Sequence, residues 1–177
     1  FVLTVTAQND APELAAIGVQ STYEDTPLDV TLSATDVDED ALTYTASSDE
    51  ENVTAVVDGT TLTLTPADNW SGTANITVTV DDGNEGTDSE SFVLTVTAQN
   101  DAPELAAIGN QSMDEDGILS FALSSSDIDG GDPFYSASSD EPNVSTDVDG
   151  NELTLTPVPD WNGTANITVT VDDGSGG

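Results

Sequence analysis

Along most of this chain, large apolar residues recur at every second position. Leu28, Val30 and Leu32 do so, as do Leu62 and Leu64, then Ile76, Val78 and Val80, then Phe92, Leu94 and Val96. Successive strand side chains point to opposite faces, so a period of two predicts strands with one face buried and one wet. No stretch sustains a 3.6-residue period, and helices are expected only as single turns. The pattern predicts seven strands in the first half, near Glu13–Tyr23, Leu28–Asp36, Leu42–Ser47, Val53–Asp58, Thr61–Pro66, Ala74–Asp81 and Ser89–Thr97. Asp58-Gly59 and Asp149-Gly150 lie between strand-like runs and read as hairpin turns, because Gly accepts the positive φ such turns need. About seven short strands with frequent turns in roughly 90 residues predict an all-β Greek-key sandwich. Trp70 and Trp161, each just ahead of an Ala-Asn-Ile-Thr-Val-Thr-Val strand, are expected to cap one end of a core.

The pattern occurs twice. Gln8-Asn9-Asp10-Ala11-Pro12 recurs as Gln99-Asn100-Asp101-Ala102-Pro103, an offset of 99 − 8 = 91. At that offset Phe1–Gly18 is identical to Phe92–Gly109, and Gly72–Gly83 to Gly163–Gly174. A fixed period predicts tandem modules. Residues 8–99 form a complete repeat, and 100–177 a second repeat lacking its final strand. Residues 1–7 carry the last strand of a preceding repeat, or a donor strand. Two accounts of the ends stand side by side. Either they are cut points in a longer array, or the incomplete repeat takes up Phe1–Thr6 of a neighbouring molecule, since strand addition is a known mode of pairing. Proline fixes its own φ and extends the residue before it, so Asp-Ala-Pro makes a stiff joint between modules.

Composition narrows the function. The 177 residues include 35 Asp plus Glu and no Lys, Arg, His or Cys, for a formal charge of −35. No carboxylate can be neutralised by a side-chain cation of the chain. Nucleic acid and anionic membranes need Lys and Arg, so neither is an expected partner. The lack of Cys excludes disulfides and thiolate zinc sites, and no apolar run approaches the ~20 residues of a membrane helix. Catalysis would have to rest on carboxylates, Tyr, Ser and Thr, and a glycosidase pair needs one carboxyl raised in an apolar cleft. These acids sit in polar loops, so no enzyme is expected. With 2 Trp, 3 Tyr and 4 Phe, little is left for a sugar-binding platform. Thr-x-Thr runs are the wet faces of strands rather than an ice-binding surface. Asn-x-Ser/Thr sequons at Asn52, Asn69, Asn75, Asn110, Asn143, Asn162 and Asn166 are acceptors only in a glycosylating secretory route.

The acids cluster in motifs that repeat. Glu24-Asp25 is matched by Glu115-Asp116, Asp36-Val37-Asp38-Glu39-Asp40 by Asp127-Ile128-Asp129-Gly130-Gly131-Asp132, and Asp81-Asp82-Gly83 by Asp172-Asp173-Gly174. Two like charges about 4 Å apart repel by roughly 4 kcal/mol near a protein surface, so converging acids call for a divalent cation. Calcium takes six to eight hard oxygen ligands, which Asp-x-Asp loops supply; magnesium demands tighter geometry and keeps its water. Most of the remaining acids simply solvate loops. Asp58 and Asp149 belong to turns, with Asp147 and Asn151 as a candidate weak site.

Taken in order, Glu24-Asp25, Asp36-Val37-Asp38, Asp81-Asp82-Gly83 and Asn100-Asp101-Ala102-Pro103 resemble the calcium motifs of cadherin repeats. The Thr65-to-Gly72 and Ala34-to-Asp38 runs look like the bacterial version, the tandem cadherin-like repeats of large secreted adhesins. The resemblance covers essentially the whole chain and lies in the set and order of motifs. It implies calcium between consecutive repeats, held by Glu24, Asp25 and Asp68 from one, Asn100 and Asp101 from the joint, and Asp127 and Asp129 from the next. The matching half-sites would be Asn9, Asp10, Asp36 and Asp38 at one end and Glu115, Asp116 and Asp160 at the other. Ala98 stands where the cadherin joint opens with Asp, and Trp70 where a Glu is expected, which implies fewer ions per junction. The expected function is a calcium-stiffened spacer of an extracellular adhesin or fibre, with neighbouring repeats or identical subunits head to tail as partners. A filament subunit joined by donation of residues 1–6 is the alternative.

Overall fold

The computed structural model describes residues 1–175, all of them strand, turn or irregular. The chain divides into two compact units, Phe1–Gln99 and one that begins at Asn100. The first contains β1 (Glu13–Leu14), β2 (Gln20–Tyr23), β3 (Leu28–Thr31), β4 (Ala34–Thr35), β5 (Thr43–Ser48), β6 (Val53–Asp58), β7 (Thr61–Pro66), β8 (Gly72–Asp81) and β9 (Thr87–Thr97). One sheet has the order β2-β9-β8-β5 and the other β3-β7-β6; β1 and β4 form a short separate pair. All neighbours are antiparallel except β2 and β9, which run parallel with Gln20 opposite Leu94 and Thr22 opposite Val96.

The two-residue period builds this sandwich directly. Inward positions of both sheets, among them Val30, Leu62, Leu64, Ile76, Val78, Val80, Leu94 and Val96, merge into one buried cluster. Between them the outward hydroxyls pair across the wet face, Thr77 with Ser91 at 3.0 Å and Thr79 with Ser89 at 2.8 Å. Trp70 packs against the cluster, its ring lying over Gly72, where an added Cβ would stand 2.7 Å from it.

Two of the expected strands are broken. Glu13–Tyr23 splits into β1 and β2 around Gly18, whose φ of +69° suits glycine and bends the chain out of one ladder and into another. Leu28–Asp36 splits likewise, because β3 pairs with β7 while β4 pairs with β1. Both apolar runs cross between ladders, which alternation alone does not reveal.

The second unit contains β10 (Glu104–Leu105), β11 (Leu119–Ala122), β12 (Ser125–Ser126), β13 (Phe134–Ser139), β14 (Val144–Asp149), β15 (Glu152–Pro157) and β16 (Ile167–Asp172). Its sheets are β11-β15-β14, β13-β16 and β10-β12. Gln111–Asp114, the counterpart of β2, is not a strand, and β16 starts at Ile167 where the offset from Gly72 would put Gly163 (72 + 91). In the first unit both segments are held by β9, and no described strand takes its place here. The core is correspondingly thin. Leu123, Leu153 and Leu155 are buried, whereas Ile167 and Val169 are only partly covered.

Candidate metal centre

Three segments of the first unit converge at one end of the sandwich. The loop after β4 curls around Asp36, whose Oδ1 accepts the backbone N–H of Asp38 at 2.8 Å and of Asp40 at 3.3 Å. Such side-chain-to-backbone bonds are what make Asp a loop former. The turn after β8 is built the same way around Asp82, whose Oδ1 accepts from the backbone of Asn84 at 2.7 Å and Gly86 at 3.0 Å. The incoming segment fastens both loops. Asn9 Nδ2 donates to Asp82 Oδ2 at 2.8 Å, and the Asp10 N–H donates to Asp38 Oδ2 at 2.8 Å.

Within this frame Asp36, Asp40 and Asp82 each present a carboxylate oxygen, all within 4.8 Å of one another. Asp82 is 3% exposed. Asp36 Oδ2 is shut off from solvent and accepts no hydrogen bond. The donors are hard oxygens only, which suits calcium and excludes metals that prefer sulfur or imidazole. A buried anionic oxygen with no donor is costly, and a cation is the partner that satisfies it.

The Asn9 amide, then the Asn84 N–H, hold the Asp82 carboxyl below its ordinary value of 3.8, with burial opposing them. Asp49 is lowered chiefly by Asn75, which donates its side-chain amide at 2.8 Å and its backbone N–H at 2.7 Å; Asp140 is lowered by Asn166 in the same way. A carboxyl depressed on folding adds stability above its unfolded pKa, and that contribution is lost as pH falls through the native one. Acid melts in chelator should therefore show stability falling below 3.8, and an Asn75→Ala variant should fall less steeply. An unchanged slope would remove Asp49 from this account.

The second unit repeats the frame. Asp101 N–H donates to Asp129 Oδ2 at 2.7 Å, Asn100 Nδ2 to Asp173 Oδ2 at 2.5 Å, and Asp129 N–H to Asp127 Oδ1 at 2.9 Å. Gly131 replaces Asp40 (40 + 91 = 131), so this copy offers one carboxylate fewer at that place.

The opposite end of each unit carries the other expected residues. Glu24 is 4% exposed and accepts the Gln99 N–H at 2.5 Å, while its own N–H donates to the Thr97 carbonyl at 3.0 Å. Asp25 Oδ1 accepts the Asn69 N–H at 2.9 Å, with both residues at positive φ. In the second unit Asp116 and Asp160 reproduce that bond at 2.9 Å, but Glu115 is exposed. Asp160 is thus the counterpart of Asn69, and Asp68 that of Pro159 (68 + 91). Asp40 and Asp82 are the residues that the expected ligand set omitted.

The fold and the duplicated acidic ends define a class, the tandem Ig-like and cadherin-like β-sandwich repeat. The chain belongs to the bacterial Ig domain family, which matches residues 9–95 and 100–177. No curated protein matches it. Among solved structures, Drosophila N-cadherin EC1-4 is similar at 13% identity and a TM-score of 0.53, over 92% of this chain and 48% of that one. The chain thus spans about half the length of that structure (48%). Human protocadherin-24 EC1-2 is similar at 17% identity and a TM-score of 0.46, over 92% of this chain and 94% of that one. The human desmocollin-1 ectodomain is 17% identical with a TM-score of 0.42, over 97% of this chain and 35% of that one. The likeness to N-cadherin, at 13% identity, is one of fold.

Proposed function

We propose that this chain is a calcium-dependent spacer segment of a long extracellular adhesin or fibre, with structural rather than catalytic work. The observation that carries the reading is Asp36 Oδ2, an anionic oxygen sealed among carboxylates with no donor. Asp36, Asp40 and Asp82 would hold the ion, and Asp38, Asn9 and Asp10 would brace the loops around it. The ion supplies positive charge that the chain's own side chains, at −35, cannot.

The same arrangement supports ions at the joint between consecutive repeats. Glu24 ends one repeat buried and bonded to Gln99. The next residues in sequence, Asn100 and Asp101, are already fastened to the acidic loops of the following repeat. Glu24, Asp25 and Asp68 on one side and Asp101, Asp127 and Asp129 on the other would then share the cation, and the Asp-Ala-Pro joint would stiffen. Small-angle scattering tests this. In calcium the full chain is expected to show a longer maximum dimension and less flexibility than in chelator, and Asp101→Ala with Asp129→Ala should erase the difference. A profile indifferent to calcium would sink the bridging role.

A further inference from the structure

A single Asp-Pro bond occurs in the sequence, Asp132-Pro133, between the acidic loop at Asp127–Asp129 and β13. The repeat offset places Ala41-Leu42 there in the first unit (132 − 91 = 41), so the dipeptide belongs to the second copy alone. The loop around it is also held by fewer bonds. In the first unit Asp36 Oδ1 accepts the N–H of both Asp38 and Asp40, whereas Asp127 Oδ1 accepts that of Asp129 alone. From Gly130 to Pro133 the chain lies outside every ladder, with Gly130 at a φ of +77° and Gly131 at +124°. Asp132 and Pro133 are exposed. The carboxyls of Asp127, Asp129 and Asp172 each accept a backbone N–H, while no hydrogen bond among the described residues engages that of Asp132.

We propose that Asp132-Pro133 is a self-cleaving bond, broken by attack of the Asp132 side chain on its own carbonyl carbon. The Pro133 nitrogen carries no hydrogen, so it cannot close a ring onto the side chain as the Gly130 N–H can at Asp129. The route left open is attack by oxygen, and carboxylates serve as nucleophiles of this kind. Rotation about the Cα–Cβ and Cβ–Cγ bonds brings an Asp132 Oδ to the carbonyl carbon, and no bond holds the side chain elsewhere. That oxygen bonds to the carbon and closes a five-membered ring. The carboxyl proton passes to the Pro133 nitrogen, the C–N bond breaks with its electron pair on nitrogen, and proline leaves as a secondary amine. The cyclic anhydride left at Asp132 is opened by one water to two carboxyls, so the net change is one peptide bond hydrolysed. The chain has no lysine, hence no side-chain amine of its own to take the anhydride; water or an amine of another molecule does. Of the described ladders only β11 on β15 crosses the cut, from Leu119 opposite Leu155 to Ala122 opposite Glu152. The nicked unit therefore stays paired until that ladder opens.

The experiment incubates the 177-residue chain in mildly acidic buffer, folded and, in parallel, unfolded in urea, and follows scission by mass spectrometry. Two fragments are expected, 1–132 and 133–177, the second beginning Pro-Phe-Tyr. The folded chain should be cut at a rate within about threefold of the unfolded one, as for a segment whose local opening costs almost nothing. Hydroxylamine present during the reaction should be found as a hydroxamate on Asp132, because it intercepts an anhydride and not direct hydrolysis by water. Asp132→Ala removes the nucleophile and Pro133→Ala the leaving group, and each should slow scission about tenfold or more, since the attack is intramolecular. Both positions are exposed, and an unchanged thermal melt shows that each variant folds. A folded chain that stays intact while the unfolded one is cut overturns the proposal. So does scission at another bond, or at full rate in either variant. Cleavage without the hydroxamate overturns the anhydride step.

Discussion

Saturating calcium is expected to raise the melting temperature of the first unit sharply, and Asp36→Asn is expected to abolish the rise. An ion that binds only the folded state adds RT ln(1 + [Ca]/Kd), about 2.7 kcal/mol at ~100-fold excess over Kd. For a domain of this size each kcal/mol is worth roughly 4–8 °C. The asparagine variant is chosen because its Oδ1 can still accept the Asp38 and Asp40 backbone donors. Its amide replaces the sealed Oδ2 and turns a carboxylate neighbour of Asp40 and Asp82 into a donor. In chelator the variant should therefore be more stable than the parent, by ~1 kcal/mol, the net value of a typical hydrogen bond. The order of stability then reverses when calcium is added. A structural role for Asp36 alone predicts the opposite in chelator, a loss. If the variant keeps the full calcium response, the ion is not held here.

The second large effect concerns two isoleucines in identical surroundings by sequence. Ile76 and Ile167 lie in the same twelve-residue run, yet Ile76 is 0% exposed and Ile167 only partly buried. Truncating a fully packed isoleucine costs about 2–5 kcal/mol through lost transfer energy and the cavity left behind. Ile76→Ala should cost that much in the first unit's urea transition. Ile167→Ala in the monomeric chain should cost under about half as much, since water already reaches the site and no closed cavity forms. Equal costs would mean that Ile167 is closed off from water in solution, and the asymmetry between the units would have to be abandoned.

Most of the strands were legible because their period matched one pleated face. Val53–Asp58 and Thr61–Pro66 coincide with the expected spans, and β5, β8 and β9 start or end within two residues of theirs. The breaks at Gly18 and near Ser33 were not legible, since a strand that leaves one ladder for another keeps its alternation. At the acidic end, Asp36 and Asp38 stood out by their Asp-x-Asp spacing and Asn9 and Asp10 entered through the likeness to cadherin motifs; hydrogen bonds bring all four to one end of the first unit. Asp82 was recoverable too. Val78 and Val80 point inward, and extending that phase by one more step selects Asp82 rather than Asp81. Asp40 was hidden because its placement depends on a loop whose course is set by hydrogen bonds to Asp36. Asp68 entered through the likeness to cadherin repeats, whereas the backbone gives its neighbour Asn69 the left-handed turn position beside Asp25.

The parallel pairing of β2 with β9 joins the opening of a repeat to its last residues, from Gln20 opposite Leu94 to Tyr23 opposite Thr97. Such a module cannot close progressively as it emerges from a ribosome or an export channel. Its β2 waits, unpaired, until more than seventy residues later (94 − 20 = 74) its partner arrives. Pairing across so long a separation is slow, because the loop must be closed before the contact rewards it. A chain delivered end-first thus leaves this pair open until the final strand of the repeat has emerged, and then locks it in one late step at the residues just before the joint.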